Sequence, residues 1–162
     1  MSNNEIYKQV NRLKFGLKNE IIFLKDINDL LLNIDDKIKL VKYEDRYAPI
    51  DFFTYLENSN KYVNLELKCR RFLNNKINLF INYSKLQYIK AFELKHTFLV
   101  WKNMNSLEYY YLYITPMNLE ELLNKPTIVC WNQRTTIVSL DMVKKTNNLV
   151  DLVNDIVNIY TN

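Results

Sequence analysis

Glycine is almost missing from this chain. Its 162 residues hold one, Gly16, and only three prolines. Backbone turns through positive φ usually fall to glycine, so other residues must take them. Asparagine is abundant, tolerates the left-handed region and is the expected substitute. Cysteine is scarce too: Cys69 and Cys130 form no CxxC pair and no Cys/His cluster, which argues against a zinc site. They read as two buried free thiols in a reducing compartment, with a disulfide between them as the alternative. His96 is the one histidine and reads as structural, so a Ser/His/Asp constellation has no second candidate. There is no GxGxxG and no P-loop. No run of about 18 apolar residues exists to cross a membrane, and MSNNEIYKQVNRLK lacks the apolar core of a secretory signal. The expectation is a soluble, intracellular protein with no membrane partner.

The length argues for a single domain over residues 1–162. Hydrophobic residues make up 48% and charged residues 25%, an ordinary globular balance. The net charge of +4 permits a polyanionic partner without demanding one. Richness in Asn, Lys, Ile and Tyr points to an AT-rich coding genome, such as that of a phage, a large DNA virus or a parasite. No repeat, linker or low-complexity tract interrupts the chain.

Apolar residues at helical spacing (Phe15, Ile22, Phe23, Leu30, Leu31) predict a helix from Asn4 to Asn33, with Gly16 marking a bend or a close packing contact. Strands are expected at Ile38–Tyr43, Ile50–Leu56 and Lys61–Lys68, the last two joined as a hairpin by a polar turn at 57–60. A short strand at Ile77–Ile81 follows. Ser84 is the expected cap of a helix to Glu93. Further strands are expected at Thr97–Trp101, Glu108–Ile114, Thr127–Trp131 and Thr136–Leu140. Asn118 should cap a helical turn, and Leu149–Tyr160 should form a terminal amphipathic helix. The order implies an α/β fold around a mixed central sheet flanked by helices.

The hairpin carries the chemistry. Either plausible turn length places Leu56 opposite Lys61, which sets Phe52 against Leu65, Thr54 against Val63 and Asp51 against Glu66. Val63, Leu65, Leu67 and Cys69 then face the core, while Asn64, Glu66, Lys68 and Arg70 face a cleft or solvent. Opposed carboxylates at about 4.5–5.5 Å repel each other, and a divalent cation between them would remove the repulsion. Mg²⁺ suits one or two carboxylates plus waters and phosphate oxygens. Lys68 shares the face and could orient an attacking water.

Pro49-Ile50-Asp51, a gap, then Glu66-Leu67-Lys68 resembles the signature of the PD-(D/E)XK nuclease superfamily. The resemblance spans roughly residues 10–101. It implies a restriction-endonuclease-like core, with residues 102–162 as a C-terminal α/β extension that would specify the target. It also implies Mg²⁺-dependent phosphodiester hydrolysis, with Mn²⁺ as a substitute ion. DNA is expected ahead of RNA, in repair, recombination or junction processing. Asp51 and Glu66 would be metal ligands and Lys68 the catalytic lysine. Glu20 matches an acidic residue common on the family's first helix, and Lys85 and Gln87 match a helix position after the motif strand.

Arg70, Arg71, Lys76 and Lys85 are candidates to meet nucleic-acid phosphates, or are simply a solvated run. Tyr109, Tyr110, Tyr111 and Tyr113 read as packing residues ahead of base-stacking ones. A homodimer would supply two symmetric sites for cutting both strands. The bland reading of Asp51, Glu66 and Lys68 is a surface salt bridge, worth little. The alternative function is an inactive nucleic-acid-binding or assembly module that keeps the nuclease fold.

Overall fold

Ser2 opens the first helix. Its hydroxyl accepts from the Glu5 amide, and the Glu5 carboxylate accepts from the Ser2 amide at 2.7 Å, closing a capping box. The computed structural model describes residues 2–45 and 48–162. Helix α1 runs Asn3–Ile34 and buries Asn19, Phe23, Ile27 and Leu31, one residue per turn. No helix among the described residues is long and apolar enough to cross a membrane.

Strands β1 (Ile38–Lys42), β2 (Phe52–Leu56) and β3 (Tyr62–Arg70) follow, then β4 (Leu79–Asn82) and helix α2 (Tyr83–Ala91). The chain continues through β5 (Thr97–Asn103), β6 (Tyr109–Ile114), α3 (Pro116–Asn124), β7 (Ile128–Cys130), β8 (Gln133–Val138), β9 (Lys144–Thr146) and α4 (Val150–Thr161). A six-stranded mixed sheet has the order β1-β2-β3-β5-β6-β9. Its β3–β5 pair is parallel and the others antiparallel. A second sheet, β4-β8-β7, is wholly antiparallel. Residues 102–162 thus supply two strands of the central sheet and two of the second one.

Two cores sandwich the large sheet. On one face, Phe23, Ile27 and Leu31 of α1 and Leu152, Val153 and Ile156 of α4 pack on Phe52, Val63, Leu65 and Phe98. On the other, Leu86 and Ile89 of α2, Leu122 of α3, and Leu79 and Ile81 of β4 pack on Leu99, Trp101 and Leu112.

The hairpin register is the expected one, with Phe52 against Leu65 and Thr54 against Val63. Its environment is not. Asn64 and Glu66 were expected to face a cleft or solvent, yet both are buried, Glu66 completely. The second core covers that face, because β3 lies inside the sheet beside a parallel neighbour with layers on both sides.

Other differences concern caps and edges. Strand β2 begins at Phe52, leaving Ile50 and Asp51 just outside it. Asn82, not Ser84, precedes α2. Thr115 caps α3; Pro116 takes its first turn, where a missing N–H costs nothing, and Asn118 completes the capping box. The edge strand β9 has no apolar residue in its Lys-Lys-Thr sequence and gave no periodic signal. Among the described residues, four of the eight with positive φ are asparagines (58, 74, 75 and 132), as the lack of glycine demands.

Gly16 makes no close packing contact: a Cβ built there meets no heavy atom within 4 Å. Gly16→Ala is therefore expected to stabilise the fold by about 0.5–1 kcal/mol through helix propensity. Urea denaturation checks this, and a loss of stability would show that the position needs its open space.

Candidate active site

Strand β3 sets the site because its alternation aims Glu66 and Lys68 at the same face. Their parallel partners on β5 are Leu99 and Trp101, so Glu66 lies on an apolar floor. A buried carboxylate on such a floor needs charged or hydrogen-bonding partners. Two arrive. Lys68 Nζ lies 2.7 Å from Glu66 Oε1, and Lys85 Nζ lies 2.6 Å from the same oxygen. Lys85 immediately precedes buried Leu86 and stands one turn before buried Ile89, so α2 presents it to the sheet. Its ammonium also donates to the Pro49 carbonyl at 2.7 Å, joining α2 to the chain that enters β2. Neither Glu66 oxygen completes a hydrogen bond of ordinary geometry, although both are buried.

Asp51 sits where the chain passes from the second core, at Ile50, to the first, at Phe52. Its carboxylate accepts the Leu67 amide at 2.8 Å, reaching the β3 backbone between Glu66 and Lys68. Burial, and then the charge of Glu66, push its pKa up to about 7; the Leu67 amide, Lys68 and Lys85 pull the other way. Two carboxylates whose charges are felt by one another, one of them with Oε2 lacking a hydrogen-bond partner, form a donor set of hard oxygens. Among the described residues no group of three or more His, Cys, Asp or Glu could hold an ion. An ion held by this pair would have to take few protein ligands and keep waters.

Asp51 and Lys68 open onto a cavity of about 840 Å³ between α1 and the end of β3. Glu20 and Gly16 line it from α1, and Arg70 and Arg71 from the end of β3. Glu20 is thus beside the site, but its carboxylate is engaged by Lys42 of β1. Arg70 and Arg71 are exposed, with the Arg71 guanidinium 5.8 Å from the Phe15 ring centre. Lys76 is exposed in the segment before β4 and does not reach this cavity. Gln87 is exposed as well. Two residues beyond Lys85 on a helix is about 200° of rotation, so it points away from Glu66. Lys85, also a candidate phosphate contact, is instead turned inward onto Glu66.

Tyr109, Tyr110 and Tyr111 are buried in the two cores, as the packing reading expects. His96 has a partner that the sequence did not reveal, the Tyr113 hydroxyl at 2.9 Å. Both cysteines are free, and burial pushes the Cys69 thiol up to about 11.

Trp131 is the cavity residue that sequence reasoning left without a role. With Asn132 it forms the two-residue turn between β7 and β8, at φ 54° and 60°. Two positive φ values in such a loop define a type I′ turn, which favours Asn and Gly. A Trp-Asn pair between two β-prone stretches was the available signal. Holding a bulky residue in the left-handed region costs about 1–2 kcal/mol.

No family model matches the sequence, and no curated protein matches it. The fold does have a relative among solved structures, described as a nuclease from a fusselovirus. The match has a TM-score of 0.58 at 14% identity and covers 94% of each chain. At that identity the likeness is one of fold, and it extends through the C-terminal third.

The elevated Asp51 pKa has a consequence for stability. The folded state holds a proton that the unfolded chain releases near 3.8, so this stabilising contribution is complete at low pH and is lost as pH rises through about 7. In metal-free buffer the wild type is expected to lose on the order of 2–3 kcal/mol relative to Asp51→Asn between about pH 5 and pH 8. Urea unfolding of both proteins across that range measures it, and parallel profiles would contradict it.

Proposed function

We propose that this protein is a metal-dependent nuclease of the PD-(D/E)XK type that hydrolyses phosphodiester bonds, with DNA as its substrate ahead of RNA. The observation that carries the reading is the Asp51–Glu66–Lys68 grouping at the edge of a cavity with basic walls. The fold likeness to a viral nuclease supports it independently of those residues.

A surface salt bridge would need no burial, and a core built only for stability gains little from an ion cluster. Replacing such clusters by apolar residues is often neutral or stabilising. A buried glutamate whose Oε2 has no hydrogen-bond partner, beside an aspartate of raised pKa, is instead what a site that takes up a cation would hold.

Asp51 and Glu66 would hold Mg²⁺, or Mn²⁺ in its place. When bound, the ion supplies polarisation of the scissile phosphate and a water of lowered pKa. The remaining work falls to the chain. Lys68 would orient the attacking water and offset charge on the pentavalent phosphorus as the bond to the leaving oxygen breaks. Lys85, tied to both Glu66 and Pro49, would fix the Glu66 carboxylate. Glu20, beside Asp51 in the cavity, would act through water after releasing Lys42. Arg70 and Arg71 would meet flanking phosphates, where contacts position the strand without reading its sequence.

A cleavage assay on single-stranded, duplex and branched DNA and on RNA, with and without Mg²⁺, tests this reading. Cleavage should require the ion. Lys68→Ala should slow it by about a hundredfold or more, and Asp51→Ala should abolish it. Activity that survives both substitutions would refute the assigned roles. A wild type inactive on every substrate would favour a binding module that keeps the fold.

A further inference from the structure

Trp131 stands 75% exposed at the tip of the β7–β8 hairpin, at the rim of the cavity that holds Asp51 and Lys68. An indole so exposed buries little surface against the rest of the fold. The turn would be better served by Asn or Gly, so the retained Trp has to be accounted for by something outside the fold. Its ring has a partner on one side. The Arg12 guanidinium of α1 lies 3.9 Å from the ring centre, over one face. The opposite face is left open. An exposed aromatic face, a neighbouring guanidinium, and Arg70 and Arg71 lining the same cavity are the two components of a single-strand site: a stacking platform and a cationic track.

Within a duplex, the faces of each base are covered by the bases above and below it. An indole can stack only on a base that is unpaired or swung out of the helix. We infer that the site takes a strand with an unpaired nucleobase next to the scissile phosphate, and that this base stacks on the open face of Trp131. The inference rests on the nuclease reading and narrows its substrate to single-stranded, flapped or frayed nucleic acid. Such a substrate needs one active site per cut, so the two-fold dimer expected for duplex cleavage is not required.

Binding in EDTA, where cleavage is stopped, separates this inference from the nuclease reading. The probes are oligothymidylate, oligouridylate and a blunt DNA duplex. Trp101 is fully buried, so quenching of tryptophan fluorescence by an added strand reports Trp131. The single strands should quench it and bind more tightly than the duplex. Trp131→Asn suits the turn, so its melting temperature should be unchanged or raised, while its single-strand affinity should fall about tenfold or more. Trp131→Phe should stay within about threefold of wild type, because it keeps an aromatic face. Oligothymidylate and oligouridylate distinguish DNA from RNA as the source of the base, and binding of either through Trp131 supports the inference. Preference for the duplex, or full single-strand affinity in Trp131→Asn, would overturn it while leaving Mg²⁺-dependent cleavage intact. A wild type that neither binds nor cuts any nucleic acid would overturn the nuclease reading and this inference together.

Discussion

Burial of the Glu66 carboxylate constrains the rest of this structure. The group has no exposure to solvent and lies on the face of β3 packed by Leu99 and Trp101. Removing one partner from a buried ion cluster typically costs about 3–5 kcal/mol, so its cations must come from fixed positions. Lys68 comes from the same strand and Lys85 from α2, and the two converge on one oxygen. Lys85 in turn holds the Pro49 carbonyl, which delivers Asp51 to the Leu67 amide. Three separate segments are locked together around a single charge, and the arrangement of α2 over the sheet follows from it.

The hairpin was legible because its pairing rests on a period of two. One register satisfies Phe52 with Leu65 and Thr54 with Val63, and any one-residue slip would send the apolar set to the wrong face. Glu66 and Lys68 are therefore assigned to one face of β3 by the sequence alone, whereas Asp51 lies just outside β2, beyond the paired residues. The burial of Glu66 could not be assigned in that way. Alternation shows which residues share a face but not what covers it, and the cover here comes from α2, α3 and β4. The ends of elements were misjudged where a residue fits two positions. Asn118 suits a cap and also the third helical position, and only the presence of Thr115 decides between them. Lys85 and Gln87 looked equivalent in sequence, yet the helical rotation between them puts one on Glu66 and the other in solvent.

The C-terminal third was the least readable part. Strand β7 falls inside the expected Thr127–Trp131, but β9 has only three residues, too few for a period to show. Even so, this part supplies β6, closes one core with α4 and carries Trp131 to the cavity. The cavity is thus lined from the first half of the chain, and the second sheet adds Trp131 from the C-terminal third.

The account stands on Asp51 and Glu66 sharing a divalent ion. Titration of Mn²⁺, followed by loss of the free-ion electron paramagnetic resonance signal in the presence of a non-cleavable strand analogue, tests this most directly. The account predicts ion binding by the wild type that is lost in Asp51→Asn and in Glu66→Gln. Binding that is absent in the wild type, or unchanged in both variants, would contradict it.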